Sequence, residues 1–166
     1  MTRKLLLPML AVLLLSSAGM RRVAQGQTTT TGLTGSWIGI VTLTPDLAAG
    51  LNNGINTVPI MLTYNSNGAV TEVIQGGGCG GNDSVGVGAW NSIGNGQLAQ
   101  TTNHFSCDQG NYTGNFKLRV SLNVSGNQMS GNVELIFTDT TGIVQLDANG
   151  STITATQMAV ETIGSM

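Results

Sequence analysis

From Phe116 to Val124 apolar and polar residues alternate without a break, Phe-Lys-Leu-Arg-Val-Ser-Leu-Asn-Val. A helix repeats its face every 3.6 residues, so this period of two fits only a strand with one buried and one wet face. Lys117 and Arg119 fix which face is which, because an unpaired cation inside a fold is costly to desolvate. Phe116, Leu118, Val120, Leu122 and Val124 are therefore expected inside. Gly126-Asn127 marks a tight turn, and the next strand, Met129 to Thr138, puts Met129, Val133, Leu135 and Phe137 inside. Glu134 falls on the outer face of that strand, opposite the two cations.

The same rhythm runs through the rest of the chain. Strands are expected from Leu33 to Thr44, Val58 to Tyr64, Ala69 to Gln75, Val85 to Asn91, Gln97 to Ser106, and Ile143 to about Val160. The last should bend or bulge at Asn149-Gly150. Short strands at roughly ten-residue intervals, joined by Gly and Asn turns, predict an all-β fold. An even count of about eight lets the last strand close on the first as an antiparallel up-and-down barrel, which removes both sheet edges. Three connections are longer: 45–57, 76–84 and 108–114. In such a barrel all three share one rim, and the opposite rim has the turns at 65–68, 94–96 and 126–127. The barrel should open at the long-loop end. Cys79 and Cys107 fall in or beside those loops, which makes a disulfide geometrically reasonable.

Residues 1–26 read as a secretory signal: a basic start at Arg3-Lys4, an apolar run from Leu5 to Leu15, and small residues that would permit cleavage after Ala18 or Gly26. The apolar run is shorter than the ~20 residues a bilayer requires. A secreted or periplasmic location follows, and it suits the disulfide. Residues 27–32 form a polar lead, expected to be flexible, and 33–166 a single domain. Cleavage after Gly26 leaves Lys117 and Arg119 against eight acids, a formal charge of −6. That balance argues against nucleic acid as a partner. No stable membrane insertion is expected after cleavage.

Leu33-Thr34-Gly35-Ser36-Trp37 resembles the first-strand Gly-x-Trp signature of the calycins, the lipocalin and avidin barrels; avidins carry a similar Thr-Gly-x-Trp. The resemblance implies a barrel that holds a small ligand in its lumen, with Trp37 closing the short-turn end. The further tryptophans that line an avidin's biotin pocket are missing, Trp90 being the only other one. No later Arg stands ready to stack on Trp37, as lipocalins often have. A barrel of the dirigent or allene-oxide-cyclase type has a similar strand rhythm.

The candidate chemistry lies on the inner faces. Alternation groups His104, the only histidine, with Leu98, Gln100 and Thr102. Glu72 interrupts the apolar face of Val70 and Ile74. If both point inward they lie below the open rim with one strand between them, placed for general acid–base work or for orienting a polar ligand; the competing reading leaves both on the surface. Glu72, Trp90, His104, Phe116, Leu118 and Val120 are the candidate ligand-binding residues, and Glu72 and His104 the candidate catalytic pair. Asn82, Asp83, Asp108 and Asn111 near the disulfide suit turns better than Ca²⁺. The four Asn-x-Ser/Thr sites, at Asn82, Asn111, Asn123 and Asn149, are what chance gives in so Asn-, Ser- and Thr-rich a chain. No motif for zinc, phosphate or a nucleophilic serine occurs, and no metal or cofactor is expected. Three functions compete: a binding module for a small apolar or amphipathic molecule, which ranks first; an isomerase or cyclase using Glu72 and His104; and, last, a small outer-membrane barrel.

Overall fold

The computed structural model describes residues 33–51, 54–77, 79 and 83–159. The expected signal segment at 1–26, its two cleavage points, the lead at 27–32 and Asn82 lie outside them. Eight antiparallel strands form a closed up-and-down barrel in sequence order. They are β1 (Gly35–Thr42), β2 (Thr57–Tyr64), β3 (Ala69–Gly77), β4 (Asp83–Gly94), β5 (Gln97–Asp108), β6 (Asn111–Ser125), β7 (Gln128–Asp139) and β8 (Val144–Gln157). Closure comes from β1 pairing with β8 from Trp37↔Gln157 to Thr42↔Thr152.

The faces fall as the alternation requires. Leu118, Val120, Leu122, Met129 and Val133 are buried inside, and Phe116, Val124 and Leu135 pack against that core. Arg119 lies outside and donates to Glu134 across the β6–β7 pair at 3.2 Å. Both side chains are partly solvated, so the pair is worth only ~0.2–1 kcal/mol. β8 is one strand with a register shift between Val133 and Leu135, where Asn149 and Gly150 stand opposite Glu134 and supply one extra residue, and Gly150 takes φ 98°.

Trp37 is fully buried at the short-turn end and donates its indole N–H to the Leu33 carbonyl at 2.8 Å. Strand stagger links this base to the open end. The inward row beginning at Trp37 passes through Leu62, Glu72, Gly86, His104, Phe116 and Phe137 to Leu146. In one circuit it climbs from the floor to the mouth.

Two expectations are corrected. The connection at 108–114 is a two-residue turn, with Gln109 and Gly110 at φ 49° and 83° and β6 already paired from Asn111. Positive φ at both turn residues is the hairpin geometry that matches strand twist, so the strands run to the turn. The connection at 45–57 holds a helix, α1 (Pro45–Leu51). Thr44 caps it, its Oγ1 accepting from Leu47 N at 3.4 Å, and Pro45 and Asp46 suit the first turn. Leu47 and Ala48 bury its inner face at the mouth.

Cys79 and Cys107 form a disulfide, with Cα atoms 4.8 Å apart. It ties the β3–β4 connection to the top of β5 and encloses a separation of 28 residues. Chain entropy gives such a bond ~3–4 kcal/mol. Reduction is expected to lower the calorimetric Tm by several degrees. An unchanged Tm, with both thiols titrated free, would show that the bond constrains nothing.

Candidate functional site

Two features occupy the barrel interior, a polar cluster at mid-height and an apolar cavity above it. The cluster is built on β5, where Gln100, Thr102 and His104 share the inner face. Gln100 and Thr102 donate to the Glu72 carboxylate, and His104 meets it from the same face. Glu72 Oε2 accepts from Gln100 Nε2 at 2.8 Å and Thr102 Oγ1 at 2.9 Å, and Oε1 faces His104 Nε2 at 3.3 Å. Tyr64 donates its hydroxyl to Gln100 Oε1, and Ser84 Oγ meets His104 Nδ1 at 3.2 Å. The Nε2–H tautomer of His104 would donate to Glu72 and leave Nδ1 to accept from Ser84.

The reading that left Glu72 and His104 on the surface is excluded: they are 0% and 1% exposed. They also meet across the intervening β4, two strand steps of ~4.8 Å apart. Gly86 leaves the room for it. It sits between them in register, and a Cβ there would lie 2.2 Å from the His104 ring. The missing side chain leaves the space the imidazole fills. Phe116 stacks on its other face at 4.4 Å between centroids, 9° from parallel.

Burial first, and the Glu72 charge second, hold the Tyr64 phenol well above its ordinary pKa of 10.0. A group whose folded pKa is raised contributes stability that is complete below its unfolded pKa and lost as pH rises beyond it. Thermal stability is therefore expected to fall from about pH 10 upward. Tyr64→Phe should be less stable at neutral pH, having stranded Gln100, yet show a shallower alkaline decline. An equally steep decline in both proteins would contradict this.

Above the cluster lies a cavity of about 350 Å³. Ten apolar side chains line it: Val41, Leu43, Leu51, Val58, Ile74, Phe116, Leu118, Leu135, Phe137 and Leu146. Gln75, Gly76 and Ser106 complete the wall. Gln75 and Gly76 belong to a bulge where β3 leaves register with β4 after Ile74. Leu51 reaches the cavity from α1, so the helix forms part of the mouth. A more open depression of about 540 Å³ lies on the outer wall around Arg119, Asn132 and Glu134.

Of the six candidate ligand-binding residues, Phe116 and Leu118 line the cavity. Glu72, His104 and Val120 are buried outside its lining. Trp90 lies at the opposite end, edge-on to Tyr64 at 6.0 Å and donating to the Asn65 carbonyl at 3.1 Å. Sequence reasoning missed α1 and with it Leu51; the signal was Thr44-Pro45-Asp46, a cap residue, a first-turn proline and an acid. It also missed Tyr64 and Ser84 as the two ends of the polar cluster.

Near the disulfide, Asp108 and Asn111 are paired across the β5–β6 turn. Among the described residues no group of three His, Cys, Asp or Glu side chains comes together to hold a metal ion. No helix among them is long and apolar enough to cross a membrane. Asp139 closes the β7–β8 connection. Its carboxylate accepts from Thr141 Oγ1 at 2.7 Å, from the Thr141 and Ile143 amides and from Gln145, and these bonds, Thr141's hydroxyl foremost, lower its pKa to about 2. Comparison with protein-family models, curated proteins and solved structures gave no match.

Proposed function

We propose that the protein is an exported, calycin-like barrel that binds a small hydrophobic or amphipathic molecule in the mouth of its lumen. The observation that carries this is the cavity itself: its volume lies at the small end of ligand pockets, and its lining is ten apolar side chains with a few neutral polar groups. The disulfide supports export to a secreted or periplasmic location, since such bonds persist in oxidising compartments.

The isomerase or cyclase reading is not favoured. Glu72 and His104 are satisfied by other side chains, and neither lines the cavity, so no reacting atom reaches them there. Their role is to hold β3 and β5 together beneath the ligand. The outer-membrane reading is not favoured either. Such barrels turn apolar residues to lipid and polar ones inward, whereas Arg119 and Glu134 stand on this outer wall and the core is inside.

The test is a neutral fluorescent probe, N-phenyl-1-naphthylamine, titrated into the mature protein. Its emission should rise on binding, and Val58→Trp, which fills the mouth, should weaken binding at least tenfold while leaving the Tm within a few degrees. Undiminished binding by a folded Val58→Trp protein would place the probe elsewhere and overturn the reading.

A further inference from the structure

Charge divides the strands of the barrel into two groups. Lys117 and Arg119 belong to β6, Glu134 and Asp139 to β7, and Asp147 to β8. Along β1, β2 and β3 the one charged residue is Glu72, which is buried inside. From Val85 to Phe105 the chain has no Asp, Glu, Lys or Arg. The outer face of these strands is apolar instead. Ile38, Met61, Val73 and Val85 stand side by side in register, and Phe105 follows one step beyond the Gly86↔His104 pair. Tyr112 meets Phe105 edge-on at 6.0 Å and extends the row. Val87 flanks it on the same face of β4. Met61, Val85, Val87 and Phe105 are 49% to 66% exposed. With Ile38 and Tyr112 they present roughly 600 Å² of apolar surface, the upper end of what a monomer's largest patch shows.

A closed barrel offers no free strand edge, so an extended peptide has nothing to pair with here. The outside of a barrel is not the concave site that a small molecule needs. Surfaces that lie on anionic lipid carry Lys and Arg, and these strands have neither. We infer that a second copy of the chain docks on this wall, the β1–β5 face of one against the same face of the other. A two-fold contact must be complementary to itself, and an apolar, uncharged face meets that condition. The formal charge of −6 makes two copies repel, and this face lets them meet without desolvating a charge. The area also fits. A stable interface takes about 800 Å² per partner, with an apolar centre and a polar rim. The apolar row supplies the centre, and the exposed, neutral Thr63, Gln75 and Asn103 supply part of the rim. Met61 and Val85 lie mid-row. Ile38 ends it, at the rim, where contacts contribute little. Docking here is independent of what the cavity holds.

The test is sedimentation equilibrium of the mature, disulfide-bonded protein, with three single substitutions compared at matched concentration. The unsubstituted protein should sediment as a dimer at about 100 μM and dissociate on dilution. Met61→Glu and Val85→Glu put an unpaired charge at the centre of the contact, twice over by symmetry, and should each raise the dimer Kd at least tenfold. Both side chains face outward, so the far-UV circular dichroism should stay unchanged. Ser130→Glu adds the same charge to the exposed face of β7, on the opposite side of the barrel, and should leave the Kd within about twofold. A monomer at about 100 μM, or a dimer that responds equally to all three substitutions, would overturn the inference. So would a monomer that co-sediments with phosphatidylcholine vesicles and is released by Val85→Glu, since the face would then meet lipid rather than a second copy.

Discussion

Replacing Glu72 with alanine is expected to cost about 3–5 kcal/mol, although one carboxylate is all that is removed. The carboxylate is the common partner of Gln100, Thr102 and His104, all buried. Removing it strands two donors and the imidazole in the barrel interior, each of which gave up water to be there. Stranding a buried donor costs ~1–3 kcal/mol, and water admitted to the space recovers part of the sum. Glu72→Gln should lose less, because the amide keeps the shape and one acceptor oxygen. Urea denaturation of the three proteins checks this. A loss below ~1 kcal/mol for the alanine variant would mean that the cluster is well solvated and is not what joins β3 to β5.

The second large effect is at the base. Trp37→Ala should cost about 3–5 kcal/mol, since the ring is fully buried at the closed end and its N–H is bonded to Leu33. Its neighbour in sequence provides the contrast. Ile38 points outward and is 53% exposed, so Ile38→Ala should change stability by no more than ~0.5 kcal/mol. Similar losses at both positions would mean that β1 is misassigned by one residue, which would turn every side chain on it to the wrong face.

What could be read from the chain followed from period two and from charge. Lys117 and Arg119 oriented β6, and through pairing they oriented β7 and placed Glu134 beside Arg119. Asn149-Gly150 announced the β8 bulge. Alternation grouped Glu72 with Val70 and Ile74, and Gln100, Thr102 and His104 with Leu98, but left open whether those faces point inward; burial of the cluster decides it. Two things were not legible. Alternation specifies a face but not which side chains meet across a strand, so contact between Glu72 and His104 depended on the glycine at Gly86. The pattern Val85-Gly86-Val87-Gly88 held the clue, since small residues on an inner face make room for large neighbours. Gln109-Gly110 is a weaker turn signal than Asn-Gly, so the β5–β6 hairpin was read as a longer loop.

The placement of ligand at the open end can be tested at individual methyl groups. Methyl spectra of the isotope-labelled mature protein, recorded during titration with 1-decanol, report occupancy residue by residue. The account predicts shifts at Val58, Leu118, Leu135 and Leu146, which line the mouth, and none at Leu62 near the base or at Ile38 and Val85 on the outer wall. Shifts confined to Ile38, Met61 and Val85, with the mouth unperturbed, would contradict it: the ligand would be lying on the outside of the barrel.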